Sequence, residues 1–344
     1  MKALVVDSPG KVEVRDVPKP EIQPFEALVK IDACGLCGTT DRHIVEGRQA
    51  HHPASWYPAI LGHESVGTVI QIGPLVTKFK VGDRVTRPVA LWPGTQQDGL
   101  YSAWGGFAEY GIVRDSVAAG MAEDYTSLRQ HVVPAELSLE EAVLALSLSE
   151  VASWMEKLGN LKDKTVVIGG TGFAACTMCQ CAKAAGARHI IVFGRSAGKF
   201  PTALRNGATD TVIMNDEMES IVIKMTGTKA DWFLEASGHQ SVFEAGLRLL
   251  KPGGSAAIYG APEGFSYRLP LGIVGGDFSV RYVTPNDDSF FQETCQRIRA
   301  GSLSVTHLHT HTWKGLESIG QAFEDQRSGA LLKGLIRIAD ERTR

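Results

Sequence analysis

The chain has 344 residues, 44% of them hydrophobic and 21% charged, with a formal net charge of -3 at pH 7. That length allows one large domain or two ordinary ones with real cores, and the composition is that of a soluble globular protein. The weak negative charge and scattered Lys and Arg leave no basic footprint for nucleic acid or for an anionic membrane surface.

The N-terminus, MKALVVDSPGKVEV, turns charged too soon for a secretory signal, and no later stretch approaches the length of a membrane span. Residues 1–33 alternate apolar and polar positions at Lys2-Ala3-Leu4-Val5-Val6, Val12-Glu13-Val14 and Glu26-Ala27-Leu28-Val29-Lys30-Ile31, with Pro18, Pro20 and Pro24 between them. This reads as antiparallel β-structure. Cys34-Gly35-Leu36-Cys37-Gly38-Thr39 follows, so Cys37 falls in the loop leaving a strand. A C-x-x-C read as a redox pair wants a thioredoxin-like βαβ context, and one read as half a structural zinc site wants a second pair; neither is nearby. Buried thiols are the plain alternative. Gly62-His63-Glu64-Ser65-Val66-Gly67 changes the balance. Thiolate, imidazole and carboxylate are what a catalytic zinc uses, with one coordination position left open, so a single metal site through Cys37, His63 and Glu64 becomes the better reading. His43 is a weaker candidate for carrying a proton to solvent, and His51 and His52 stand in a polar loop where solvated histidines are ordinary.

Val66 to Gly73 reads as a strand broken by glycine, and Lys80 to Val85 carries a Gly-Asp turn. Residues 91–106, rich in Gly, Trp and Tyr, are either a lip for a substrate pocket or a structural surface loop. Ser138-x-x-Glu141 is a capping box for a helix carrying Ala142, Val143 and Leu146, and a second helical stretch runs from Val151 to Leu158. The domain boundary is placed close to Glu150.

Thr165-Val166-Val167-Ile168 is a short buried strand followed by Gly170-Thr171-Gly172-Phe173-Ala174-Ala175 and a helix through Cys179-Gln180-Cys181. This is the dinucleotide fingerprint G-x-G-x-x-A in strand–turn–helix context, and the strand His189 to Phe193 arrives where a βαβ unit needs it. The turn lets a pyrophosphate approach backbone at the positive end of a helix. Where an NAD enzyme places a carboxylate for the ribose, this chain has Gly194-Arg195-Ser196, with Lys199 close behind. That chemistry suits a 2′-phosphate and favours NADP, with Arg195 as a mere surface residue and either cofactor in use as the alternative. Strand–helix alternation continues through Ala230–Ala236, Ser241–Leu250, the turn Lys251-Pro252-Gly253-Gly254, Ser255–Tyr259 and Phe278–Val283, which makes a doubly wound α/β sheet. Cys176, Cys179 and Cys181 on its first helix read as buried thiols. Six irregularly spaced cysteines suit a reducing compartment, and the cytoplasm is the expected location. The tail has a helix from Ser289 to Ala300, His307, His309 and His311 on an extended stretch facing solvent, and a last strand, Gly334–Ile338.

Taken together, G-H-E-x-x-G-x-x-x-x-x-G-x-x-V at 62–76, Cys37-Gly38-Thr39, Gly82-Asp83-Arg84-Val85, Gly105-Gly106-Phe107-Ala108-Glu109-Tyr110, the glycine turn at 170–175 and Lys251-Pro252-Gly253-Gly254 resemble the zinc-containing medium-chain dehydrogenase/reductase family along nearly the whole chain. Asp41 to Gly47 looks most like its glucose and polyol dehydrogenase branches. The resemblance implies an α/β chain of two parts: a GroES-like β-rich catalytic domain at 1–150 and 287–344, and a Rossmann domain at 151–286. It implies a catalytic zinc on Cys37, His63 and Glu64, Thr39 in the proton path, interconversion of an alcohol, polyol or sugar with its carbonyl, which Gly194-Arg195-Ser196 would link to NADP(H), and a homodimer or homotetramer. A zinc-free NADPH reductase of quinones or enones, and a nucleotide-binding protein without turnover, are the alternatives. The chain departs from the family pattern in four places. Thr40 is inserted after Thr39, and the four-cysteine lobe of a structural zinc is missing. No metal-binding residue stands at 146–148, where Glu150 or water would complete the site, and the NADP-like Gly194-Arg195-Ser196 replaces the usual carboxylate.

Overall fold

β-branched and aliphatic residues at every second position drive the first part of the chain into strands. The computed structural model describes residues 1–49, 52–262, 266–329 and 331–338. Contacts gather the chain into two units, Met1–Ser147 with His309–Arg344, and Leu148–Leu308.

The first unit opens with β1 (Lys2–Ser8), β2 (Lys11–Asp16) and β3 (Glu26–Gly35), then the short helix α1 (Thr40–Val45), β4 (Ala59–Ile60), β5 (Ser65–Ile72), β6 (Arg84–Thr86), β7 (Gln96–Gln97), β8 (Leu100–Ser102) and β9 (Tyr110–Arg114). Helix α2 (Leu139–Glu156) carries the chain into the second unit. It is one continuous helix where the sequence suggested two. Its start is the expected capping box: Ser138 N–H donates to Glu141 Oε2 at 2.8 Å, and Glu141 N–H donates to Ser138 Oγ at 3.2 Å.

The second unit contains β10 (Thr165–Gly169), α3 (Phe173–Ala184), β11 (His189–Gly194), α4 (Phe200–Arg205), β12 (Asp210–Ile213), α5 (Met218–Thr226), β13 (Ala230–Glu235), α6 (Gln240–Arg248), β14 (Leu250–Ile258), β15 (Ser279–Tyr282) and α7 (Asp287–Arg299). The strands form one parallel sheet in the order β12-β11-β10-β13-β14-β15. This is the doubly wound arrangement, with its switch point between β10 and β13. Its core is built on Val167, Ile191, Phe193, Phe233, Val242, Phe243 and Leu247. Gly246 in α6 is there for packing, because a Cβ would meet the Phe233 ring at 2.2 Å. The expected Lys251–Gly254 turn is an irregularity within β14, with Gly253 at φ +78. Cys176, Cys179 and Cys181 are buried in α3, and burial pushes the thiols of Cys176 and Cys181 up to about 12.

The chain returns to the first unit with β16 (His309–Lys314), α8 (Ile319–Arg327) and β17 (Lys333–Arg337). One sheet runs β2-β1-β4-β8-β7; the other runs β16-β17-β3-β5-β6, with β9 also on β3. β3 is the hub, pairing antiparallel with β5, β9 and β17. Residues 91–106 are built into this fold. β7 and β8 form a hairpin on the edge of the first sheet, and the Trp92 indole donates to Asp124 Oδ2 at 3.1 Å under the Arg114 guanidinium, 3.7 Å from the ring. His309 and His311 lie on β16, which among the described residues pairs with β17 alone; His309 Nε2 is 2.9 Å from the His311 carbonyl.

Candidate metal centre and dinucleotide site

Register explains how distant residues meet. Cys34 of β3 pairs with Ser65 of β5, and Gly35 N–H donates to the Glu64 carbonyl at 3.0 Å. The exit of β3, with Cys37, therefore lies beside the entry to β5, with His63 and Glu64. Gly35 also pairs with Leu335 of β17, and Leu36 N–H donates to the Gly334 carbonyl at 2.9 Å, which brings Lys333 to the same place. Ligand atoms of Cys37, His63 and Glu64 all lie within 4.8 Å of one another, the one group of three such residues found among the described residues. Two glycines make room. A Cβ on Gly62, at φ +114, would meet Phe107 N at 2.5 Å, and one on Gly35 would meet Glu64 Oε2 at 2.6 Å.

Asp41 organises the first two donors. Its buried carboxylate accepts Cys37 N–H on Oδ2 at 2.9 Å and holds His63 Nδ1 on Oδ1 at 3.0 Å, leaving Nε2 on the side of the other donors, 3.9 Å from Glu64 Oε1. Burial works against a charged His63 imidazole, but the Asp41 charge and hydrogen bond, with Cys37, outweigh it and hold the histidine well above its ordinary range. Thr40 N–H donates to Cys37 Sγ at 3.4 Å, so the inserted residue is absorbed at the start of α1 and Asp41 still reaches both partners. Thr39 is exposed just before α1, with no capping hydrogen bond from its side chain. The Trp104 ring lies 5.4 Å from that of His63, at φ +65.

Glu64 is held by residues that sequence reasoning missed. Lys333 Nζ lies 2.7 Å from Oε1 and 2.5 Å from Oε2, and Ser147 Oγ donates to Oε1 at 2.9 Å. Burial opposes ionisation of both partners. The opposite charges win, so Glu64 is held below and Lys333 above its usual range. The stretch 146–148 is thus not inert: Leu146 and Leu148 are core, while Ser147 turns its hydroxyl to Glu64. Cys34, by contrast, is fully buried, and burial first, then Asp41 and Glu64, push its thiol well up. It is the plain buried member of the C-x-x-C. His43 is partly buried, and burial together with Arg42 and Arg48 holds it below its ordinary range. His52 is buried against Trp56 and Tyr57, which corrects the expectation of a solvated side chain; His51 lies outside the described residues. A soft thiolate, an imidazole oriented from its far nitrogen and a carboxylate, convergent and largely buried, fit zinc.

In the second unit, Gly170 takes φ +122 and donates its N–H to the Phe193 carbonyl at 2.9 Å. Thr171 packs its methyl group where a Cβ on Gly194 would fall, 2.9 Å away. Gly172 caps α3 without a side chain, and a Cβ there would meet nothing within 4 Å. The helix therefore starts with no side-chain cap and with open space at Gly172, a positive helix end that fits a pyrophosphate. Beyond β11, Arg195 and Ser196 are exposed. Lys199 is half-buried at the start of α4, where burial holds its ammonium below the usual range.

Known proteins match this architecture. Residues 23–133 match the alcohol dehydrogenase GroES-like domain, and residues 175–284 the zinc-binding dehydrogenase family. L-threonine 3-dehydrogenase of Pyrococcus horikoshii is 30% identical over 356 residues, 96% of each chain, and sorbitol dehydrogenase of Rattus norvegicus is 27% identical over 97% of this chain and 95% of that one. The solved structure of benzyl alcohol dehydrogenase from Acinetobacter calcoaceticus superposes with a TM-score of 0.82 at 22% identity, covering 98% of this chain and 99% of that one, a likeness of fold. On these matches, the chain belongs to the zinc-containing medium-chain dehydrogenase/reductase family, the alcohol dehydrogenase superfamily.

Proposed function

We propose that this enzyme is a zinc-dependent, NADP(H)-linked dehydrogenase that interconverts a polyol, sugar or similar alcohol with its carbonyl. The observation that carries the reading is the convergence of Cys37, His63 and Glu64 on one point, with Asp41 behind the first two and Lys333 behind the third. Cys37, His63 and Glu64 would hold the metal, Asp41 keeping Nε2 of His63 turned to it. Zinc bound there supplies a Lewis acid that lowers the pKa of the substrate hydroxyl and polarises the carbonyl in reverse. Exposed Thr39, beside Cys37, is the hydroxyl proposed to take the proton outward, and Trp104 walls the His63 side. The nicotinamide supplies the hydride acceptor or donor, held through its pyrophosphate by Gly170, Thr171, Gly172, Phe173 and Ala174. Arg195, Ser196 and Lys199, with no carboxylate beside them at the end of β11, support NADP(H) over NAD(H).

Relatives that are named as threonine and sorbitol dehydrogenases support the alcohol and polyol class. Six free cysteines support a reducing, cytoplasmic setting, and the edge strand β15, with Tyr282 81% exposed, supports a homo-oligomer. Metal analysis of the purified chain, with a panel of sugars, polyols and aldehydes assayed with NADP and NAD, tests the reading. One zinc per chain, lost in Cys37→Ala together with turnover but not NADPH binding, is the expected result. Full activity on quinones or enones in a zinc-free preparation overturns it in favour of a reductase, and binding without turnover on any member of the panel in favour of a nucleotide-binding protein.

A further inference from the structure

Glu235 ends β13 with its carboxylate fully buried, and the following loop spends itself on that carboxylate. Ser237 donates to Oε1 from its N–H at 2.8 Å and its hydroxyl at 2.5 Å, Gly238 N–H lies 3.1 Å from both oxygens, and the Tyr267 hydroxyl reaches Oε2 at 2.6 Å. Ser237 Oγ accepts the next N–H, that of His239, at 3.1 Å. Gly238 sits at φ +76, where a Cβ would meet the Ala261 carbonyl at 2.7 Å. A buried, hydrogen-bonded carboxylate thus fixes the loop in one conformation, and what the loop presents is His239, at the N-terminus of α6.

His239 follows β13 and Arg195 follows β11, the two strands that flank β10 and its glycine turn. Arg195 Nη2 lies 3.2 Å from His239 Nε2. A guanidinium can only donate, so in this contact Nε2 of His239 is the acceptor. The contact bridges from one neighbour of β10 to the other, at the carboxyl end of the sheet, where a doubly wound fold binds its nucleotide.

We propose that His239 is a positioning residue for Arg195: it aims the guanidinium at the 2′-phosphate of NADP(H) and so sets coenzyme discrimination, an inference that rests on the NADP reading above. Arg195 is otherwise an exposed side chain that must give up its rotamer freedom each time it meets a phosphate. A neighbour that already holds it removes part of that cost for a ligand with a 2′-phosphate and does nothing for one without.

Isothermal titration of the full chain with 2′,5′-ADP and with 5′-AMP separates these cases, using His239→Ala, His239→Gln, Arg195→Gln and the Arg195→Gln/His239→Ala pair. His239→Ala should weaken 2′,5′-ADP about fivefold and leave 5′-AMP unchanged. His239→Gln keeps an acceptor for Arg195 and should recover most of that loss. In the Arg195→Gln background the His239 substitution should have no further effect. Equal weakening of both ligands, or unchanged 2′,5′-ADP binding in His239→Ala, overturns the proposal. If the unaltered chain binds 5′-AMP as tightly as 2′,5′-ADP, the NADP reading itself falls, a failure visible before any substitution is made.

Discussion

Lys333 is the residue on which Glu64 depends, and removing it gives a sharp expectation. The two side chains are each 7% exposed, and the ammonium spans both carboxylate oxygens, at 2.7 and 2.5 Å. Lys333→Met keeps the length and bulk of the side chain and deletes the charge. Glu64 is then a buried carboxylate with the Ser147 hydroxyl as its remaining close donor. Breaking a buried pair from one side costs about 3–5 kcal/mol. The first unit holds roughly 180 residues, and at that size each kcal/mol moves the midpoint by about 2–4 °C, so melting in the presence of EDTA should fall by roughly 6–20 °C. Glu64→Gln strands the lysine instead and should cost a similar amount. The double variant Lys333→Met/Glu64→Gln buries no charge from the pair, so it should recover much of the loss, with a coupling of about 2 kcal/mol or more.

Zinc supplies the second readout. A divalent ion compensates the stranded carboxylate, so saturating zinc should raise the melting point of Lys333→Met by more than it raises that of the unaltered chain. Calorimetry of the four proteins with EDTA and with zinc gives every quantity needed. If Lys333→Met melts with the unaltered chain in EDTA and the two substitutions simply add, the pair contributes nothing and the reasoning is wrong.

Asp41→Asn removes the charge that orients His63 and should lower zinc affinity by about 10–100-fold in chelator competition, with the fold intact by circular dichroism. Cys34→Ala should keep one zinc per chain at a stability cost of about 1 kcal/mol, because the thiol is a buried neutral group; loss of the metal would make the C-x-x-C a ligand pair after all. Asp115 is buried and accepts N–H bonds from Thr77, Lys78 and Ala118 and the Thr77 hydroxyl. Burial opposes its charge, but the donors outweigh it and hold its pKa below the ordinary carboxylate value. Its stabilisation is therefore fully present above the unfolded pKa and is lost as pH falls through the folded one. Urea unfolding should show Asp115→Ala less stable by about 2 kcal/mol at neutral pH, the gap closing below about pH 4; a gap independent of pH would refute the assignment.

Much of this site was legible because its chemistry is local. His63 and Glu64 are adjacent, Cys37 sits in a strand exit, and the glycine turn stands between an apolar strand and a helix. The supporting residues were not legible, because they are brought in by sheet register. Lys333 and Ser147 reach Glu64 only through the pairing of β17 with β3 and the packing of the middle of α2, which no spacing rule encodes. One signal was present: Lys333 is a lone charge at the entry of the apolar run Gly334-Leu335-Ile336, and a charge in a buried strand demands a partner. Thr40 looked like an insertion that would disturb the site, yet a turn closed by its N–H on Cys37 Sγ takes up the extra residue. The allegiance of α7 was hidden for a related reason. Strand–helix alternation ends near Val283, but Arg297 on α7 pairs with Glu156, and the second unit continues to Leu308.

The charges of the same residues fit a divalent cation better than a single charge. With Cys37 as a thiolate, the anions are Cys37, Glu64 and Asp41, and the buried cation is Lys333; three against one leave two negative charges. A dication closes that balance. The raised pKa of His63 expresses the same imbalance, since a proton on the imidazole is the cation the residues can recruit for themselves. Metal and proton therefore compete for one nitrogen, and Lys333 fixes how strongly the site wants either. Were Lys333 neutral the deficit would be three charges, which zinc could not close; were Asp41 neutral it would be one, which a proton could close. The three candidate ligands named from sequence are thus only part of a charge count that also includes Asp41 and Lys333.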